Sequence, residues 1–370
     1  MTDSLAPAHI RAIAPYQAGK PIEELAREYG LDPAGIIKLA SNENPLGCSD
    51  RVRAALREAV GVLHGRYPDP SGFDLKADLA ARHQVPADWV TLGNGSNDLL
   101  ELASLALLDE GTSAVYAQHA FVVYRLSTQA RGARHLMVPA RDYGHDLDAM
   151  LAAIEPDTRL VFIANPNNPT GTHVPGPHVR AFLAAVRERH GEHVTILLDE
   201  AYDEYLDPGE RTDSAQWVRE FPNLIVTRTF SKAYGLAGLR VGYALAQPGL
   251  TDLLNRVRQP FNVNALAQLA ARVALEDTDF LARTYALNRA GRAQLQDGFA
   301  ALGLEFVPSH TNFVLVRVGD AARVNGGLLR RGVIVRPVAG DGLSEHLRVS
   351  IGLPEENARL LDALKAVLQA

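Results

Sequence analysis

Lys232 lies in the stretch TFSKAYGLAGLR, residues 229–240, and is one of only five lysines (Lys20, Lys38, Lys76, Lys232, Lys365) among 37 basic side chains. In a chain that takes nearly all its positive charge from arginine, an amine kept here points to chemistry, because lysine can form an imine. An ammonium becomes a nucleophile only when burial or a nearby cation lowers its pKa, and Arg240 is positioned in sequence to help. Arg240 and Ser231 could also hold an anion, while Gly235 and Gly238 permit close backbone approach. A lone lysine would read as a solvated side chain at a helix start, but these neighbours describe a covalent cofactor site.

Other residue types add to that chemistry. Asp199 ends an apolar run, where a carboxylate needs a buried cation as partner; a protonated pyridine nitrogen is one candidate, a metal or an arginine the others. Tyr202, three residues on, could donate to a ring oxygen. Asn168 in NPNNPTG could do the same or be a turn residue, and Phe121 could stack on a ring or pack in the core. GNGSND, residues 93–98, stands between a strand and a helix, so the amides of Ser96 and Asn97 would face an anion on the helix axis. A dinucleotide fingerprint would need glycine where Asp98 stands, which weakens a dehydrogenase reading. Arg336 and Arg348, twelve apart in strand-like segments, read as clamps for an anionic substrate.

The elements that must position these groups repeat a pattern: a short apolar strand, a polar loop, then a helix. It runs through residues 89–92, 114–116, 160–164, 195–198 and 224–226, with the lysine stretch expected to pass from strand through loop into helix. Strands alternating with helices imply an α/β fold of three layers around a mostly parallel sheet, with ligands at the carboxyl ends of the strands. An arm over residues 1–40, a large domain over 41–264 and a smaller α/β domain over 265–370 are expected, the last entered through a helical region over 265–302.

At 370 residues with 47% hydrophobic content the chain can bury sizeable cores. Its net charge of −6 and lack of basic runs argue against a nucleic-acid or membrane-surface partner. One cysteine, Cys48, excludes an intramolecular disulfide and a cysteine-rich zinc site, so no metal is expected. No apolar stretch approaches a membrane span or a signal peptide, and a cytoplasmic location is expected.

Taken together, PYQAGK (15–20), SNENPLG, RYPDPSG, GNGSND, NPNNPTG, DEAY, TFSKAYGLAGLRVGY, VIVRPV and LRVSIGLP resemble the fold-type I pyridoxal-phosphate aminotransferases of class I/II, and within them the histidinol-phosphate aminotransferase family. The resemblance covers nearly the whole chain and implies pyridoxal phosphate as cofactor. It makes Lys232 the lysine that joins the cofactor and shuttles the proton, and Asp199 the partner of the pyridine nitrogen. Tyr202 and Asn168 would bind the ring oxygen and Phe121 would stack on the ring. Ser96, Asn97, Ser231 and Arg240 would hold the phosphate, joined by Tyr67 from the other subunit of a homodimer. Tyr16, Arg336 and Arg348 would meet the substrate's anionic groups, with Asn42 also on the substrate side. The stacking loop QHAFVVY departs from the family, which often has a proline before the aromatic and sometimes a tyrosine in its place.

The implied reaction is transamination of L-histidinol phosphate with 2-oxoglutarate to imidazole acetol phosphate and L-glutamate, a step of histidine biosynthesis. Rival readings keep the cofactor and change the substrate, as an aromatic amino-acid aminotransferase or a phospho-amino-acid decarboxylase. A ligand-sensing regulator on the same fold is the rival without catalysis.

Overall fold

The computed structural model describes residues 5–15, 19–63 and 65–370. After a two-residue strand, β1 (Ile37–Lys38), seven strands build the central sheet. They are β2 (Val90–Gly93), β3 (Ser113–Ala117), β4 (Arg134–Val138), β5 (Thr158–Ala164), β6 (Thr195–Asp199), β7 (Leu224–Thr229) and β8 (Gly242–Leu245). Their order is β2-β8-β7-β6-β5-β3-β4, with β3 to β7 parallel and β8 antiparallel to both its neighbours. The sheet is thus mostly parallel, as expected, and its middle strands are continuous apolar runs because helices cover both faces. Leu160, Val161, Phe162 and Ile163 on β5, with Ile196 and Leu197 on β6, are wholly buried.

Register brings the motifs to one edge. Ala164 pairs with Asp199, and Asp199 with Thr227, so NPNNPTG, DEAY and the lysine stretch all leave the sheet at the carboxyl ends of β5, β6 and β7. The lysine stretch does not lead into a helix. Gly235 and Arg240 both adopt positive φ (69° and 57°), a single 3-10 turn spans Ala237–Leu239, and the chain doubles back as β8. Gly235 is required there, since a Cβ would overlap the Gly47 carbonyl, whereas no described protein atom lies within 4 Å of where a Cβ on Gly238 would stand.

The last third adds β9 (Phe306–Val307), β10 (Phe313–Arg317), β11 (Val333–Ile334), β12 (Arg336–Val338) and β13 (Leu343–Ser350), all but β11 forming a second sheet. The order β12-β13-β10-β9 is antiparallel throughout, while β11 pairs in parallel with β1. Its own core gathers Val314, Val316, Leu347, Val349 and Leu360 with Leu39 from the arm. The helical region 265–302 is two helices, Ala265–Glu276 and Thr278–Ala301, broken at Asp277, whose carboxylate accepts from Phe280 N. The first buries Ala267, Ala270, Ala271 and Ala274 in the central-sheet core, so the packing changes hands within the second helix, not at residue 265. There Leu281 packs beside Tyr202 and Tyr205, whereas Leu295 and Phe299 join the smaller core.

Candidate active site

A cavity of about 190 Å³ opens at the carboxyl ends of β5 to β7. Its wall brings together Ser96, Asn97, Phe121, Asn168, Asp199, Tyr202, Ser231, Lys232 and Arg240, nine residues singled out from the sequence. Loops far apart in the chain contribute them because parallel strands aim their carboxyl ends the same way.

One end of the cavity is built for an anion. The helix Ser96–Leu107 begins at Gly95 with no side chain capping it, so its first amides are left for a ligand. Arg240 Nη1 donates to Ser231 Oγ at 3.2 Å beside that terminus. A Cβ on Gly95 would come within 2.5 Å of Arg240 Nη2, and one on Gly242 within 2.5 Å of the Ser96 nitrogen. These glycines let the guanidinium and the helix end crowd one small space, the geometry a phosphate needs. Asp98 turns away, accepting from Asn94 N and Asn262 Nδ2 at 2.9 and 2.8 Å.

The other end holds an acid and an amine. Asp199 is 5% exposed and accepts from the Tyr124 hydroxyl at 2.8 Å and Thr227 Oγ1 at 3.3 Å. Burial raises its pKa, while the bonds from Tyr124 and Thr227 work to hold it ionised. Arginine goes instead to its neighbour: Arg228 pairs with Glu200 at 2.8 Å and Asp203 at 3.4 Å, pinning the segment that carries Asp199 and Tyr202. Lys232 Nζ donates to the Ser41 carbonyl at 3.2 Å and lies 5.8 Å from the centre of the Tyr202 ring. Burial first and Arg348 second lower its pKa to about 8, with Glu43 opposing them and Arg240 adding a smaller push downward. An acid with no salt bridge among the described residues, a depressed amine, an anion seat and the flat face of Phe121 together suit an aromatic cofactor that bears an aldehyde, a ring nitrogen and a phosphate.

A second cavity of about 490 Å³ shares Phe121 and Asn168 with the first and is lined by Arg125, Arg336, Asp341 and Arg348. Arg336 and Arg348 are directly opposed on β12 and β13. Like charges so placed repel, and the Asp341 carboxylate on the same wall, close to both, offsets part of that repulsion. Arg348 donates to Asn168 Oδ1 and to the Ala40 carbonyl, both at 2.7 Å, which leaves the amide nitrogen of Asn168 as the donor it can offer a ligand.

One expected residue, Asn42, is placed elsewhere. Asn42, 1% exposed, is behind the cavity wall, donating to the Tyr202 hydroxyl at 2.9 Å and exchanging hydrogen bonds with Ser350, so it positions Tyr202 instead of lining a substrate pocket. Tyr67, expected to act on the other subunit's site, is 82% exposed and stacks on Phe261 with ring centres 4.5 Å apart, away from both cavities of its own chain. Tyr16 lies outside the described residues. The sequence reading missed Tyr124 and Arg125. Their signal was present in QHAFVVYR, where a helix opening at Phe121 carries Tyr124 one turn on.

Comparison with known proteins agrees with this geometry. The family model for aminotransferase class I and II matches residues 34–364, and the chain belongs to that family. It is 63% identical over 367 residues to histidinol-phosphate aminotransferase 1 of Cupriavidus pinatubonensis, covering 98% of this chain and 96% of that protein. To histidinol-phosphate aminotransferase 2 of Ralstonia nicotianae the identity is 62%, with 100% and 98% covered. The crystal structure of histidinol-phosphate aminotransferase from Sinorhizobium meliloti in complex with pyridoxal-5'-phosphate superposes with a TM-score of 0.90. It is 31% identical, with 99% of this chain and 98% of that one covered.

Proposed function

We propose that this chain is a pyridoxal-phosphate-dependent transaminase for L-histidinol phosphate and 2-oxoglutarate, giving imidazole acetol phosphate and L-glutamate in histidine biosynthesis. The observation that carries the reading is one cavity walled by both Lys232 and Asp199, opening beside a second walled by Arg336 and Arg348. The names of the close relatives support the substrate.

When bound, pyridoxal phosphate supplies an aldehyde that accepts amines and a ring that withdraws electrons from the substrate carbon. Ser96, Asn97, Ser231 and Arg240 hold its phosphate, and Phe121 covers a ring face. Asp199 stays anionic against the ring nitrogen and keeps it protonated. Tyr202, oriented by Asn42, and Asn168, oriented by Arg348, donate to the ring oxygen. With its pKa lowered to about 8, Lys232 Nζ holds its proton loosely at physiological pH; with the cofactor bound it would be the amine that the substrate amine displaces from the aldehyde carbon, and, once freed, the base that would carry a proton between the substrate carbon and the cofactor carbon. Arg336 and Arg348 take the phosphate of one substrate and a carboxylate of the other in turn, which predicts ping-pong kinetics.

A homodimer is part of the proposal. Tyr67, Phe73 and Val62 are 82%, 72% and 75% exposed, a cost in a monomer that a second copy would remove. No helix among the described residues is long and apolar enough to cross a membrane, and a cytoplasmic location completes the reading.

The test is kcat/KM for histidinol phosphate beside phenylalanine with the pyridoxal-phosphate-loaded protein. Preference for phenylalanine would move the assignment to aromatic substrates, carbon dioxide release would move it to a decarboxylase, and failure to take up the cofactor would end it.

A further inference from the structure

Away from both cavities, His173, Glu210 and His310 converge, with one ligand-capable atom from each lying within 4.8 Å of the others. They come from three separate connections: His173 from the loop between β5 and the helix Gly176–His190, Glu210 from the loop before the helix Ser214–Glu220, and His310 from the turn between β9 and β10. His310 Nδ1 is 2.9 Å from Glu210 Oε2, and the two imidazole rings lie 5.3 Å apart. We propose that these residues form a site for a divalent transition-metal ion, zinc by ligand type, that ties the smaller sheet to the central one.

Two imidazoles and a carboxylate are a common donor set for such an ion. In a tetrahedral zinc site the donor atoms stand roughly 3.4 Å apart, so rotations of about 1 Å at the side-chain tips would close this one. Partial exposure of His310 (30%) and Glu210 (36%) lets the side chains turn, lets the ion in and leaves room for water as fourth ligand. Of the charged groups around the site, Asp203 pairs with Arg228 and Asp207 with Arg292, and Arg211 is turned to the carbonyls of Leu206 and Glu204.

No metal is expected from the sequence, where the single cysteine excludes only a cysteine-rich site; these candidate ligands stand 37 and 100 residues apart, and folding assembles them. The position suits a clasp. His310 N donates to the Gly171 carbonyl at 2.8 Å, in the same loop that carries Asn168. An ion here would therefore fasten the turn of the smaller sheet to the loop that joins the two cavities.

The experiment uses the cofactor-loaded protein, stripped with a chelator and titrated with cobalt(II), whose visible d–d bands report imidazole ligation, and then with zinc in competition. One cobalt per chain is expected, displaced by zinc, with a zinc-dependent rise in Tm. His173→Gln and Glu210→Gln should each weaken cobalt binding at least about 10- to 100-fold and remove the zinc-dependent rise in Tm, while keeping the far-ultraviolet spectrum and Tm of the metal-free wild type. Because pyridoxal phosphate itself chelates metals, the difference between wild type and variants is the readout. Equal binding by wild type and both variants, or no cobalt bands in the wild type at micromolar ion, would overturn the site.

Discussion

The Tyr124 hydroxyl donates to Asp199 Oδ2 at 2.8 Å, from the helix Val122–Ala130 to the end of β6. The bond is the largest influence holding a buried carboxylate ionised against the desolvation that would protonate it. Removing the donor raises the Asp199 pKa further. Tyr124→Phe should therefore lower kcat by about 10- to 100-fold, since hydrogen bonds to charged groups contribute about 1.5–3 kcal/mol. The acid limb of its pH profile should move to higher pH, because a protonated Asp199 cannot balance a ring cation. An unshifted limb in kcat against pH would count against this account.

Lys232 carries its charge less readily in the folded protein than in the unfolded chain, with a pKa of about 8 against 10.5. Between those values the unfolded chain binds more protons, so the lysine's contribution to stability rises with pH across that window. Below about pH 8 the folded protein holds an unfavourable ammonium. Without cofactor, Lys232→Met should melt at a higher temperature than wild type at pH 7, and the gain should shrink toward pH 10. Catalysis should fall in Lys232→Met by at least about 10²–10⁴-fold, the usual contribution of a positioned acid–base group. Thermal melts at the two pH values and steady-state rates check both parts.

Arg348 and Arg336 should separate on substitution. Arg348 meets Asn168 and the Ala40 carbonyl as well as facing the outer cavity, so Arg348→Ala loses an anion contact and the orientation of Asn168. A loss of about 2–5 kcal/mol in kcat/KM is expected, divided between KM and kcat. Arg336→Ala should act mainly on KM. Steady-state kinetics with both amino donors would reveal the division, and identical profiles for the two variants would contradict it.

Gly235 tests the backbone of the lysine turn. Alanine there meets both a positive φ and the Gly47 carbonyl, so Gly235→Ala should cost at least about 1–3 kcal/mol. Gly238→Ala, in open space, should be nearly neutral. Urea unfolding of the two variants distinguishes them.

If Tyr67 serves the neighbouring subunit, Tyr67→Ala should weaken cofactor retention although the residue is remote from its own chain's cavity. Refolding Tyr67→Ala together with Lys232→Ala should then restore part of the activity, through mixed dimers in which one site has both residues. No recovery would place Tyr67 outside the site.

Much of this was legible in the chain because it is local. Apolar runs such as 160–164 and 195–198 announce buried parallel strands, and NPNNPTG, DEAY and TFSK carry their reactive residues at strand ends, where topology alone sends them to one edge. Lys232, Asp199, Asn168 and Arg240 could thus be named before any coordinates. The reversal after Lys232 was less visible, since it depends on Gly235 and Arg240 accepting positive φ against the Gly47 backbone. So was the place where the helix Thr278–Ala301 passes from one core to the other.

By itself the sequence determined which groups could react and that a mostly parallel sheet would carry them. Only the tertiary structure decided that Tyr124 would serve Asp199, that Asn42 would stand behind Tyr202, that Arg336 would face Arg348, and that two histidines and a glutamate would meet. The reason is physical: strand ends and helix starts follow from short-range pattern. A contact between residues 75 or 137 positions apart depends instead on strand order and register, and these are settled by burying the whole core at once.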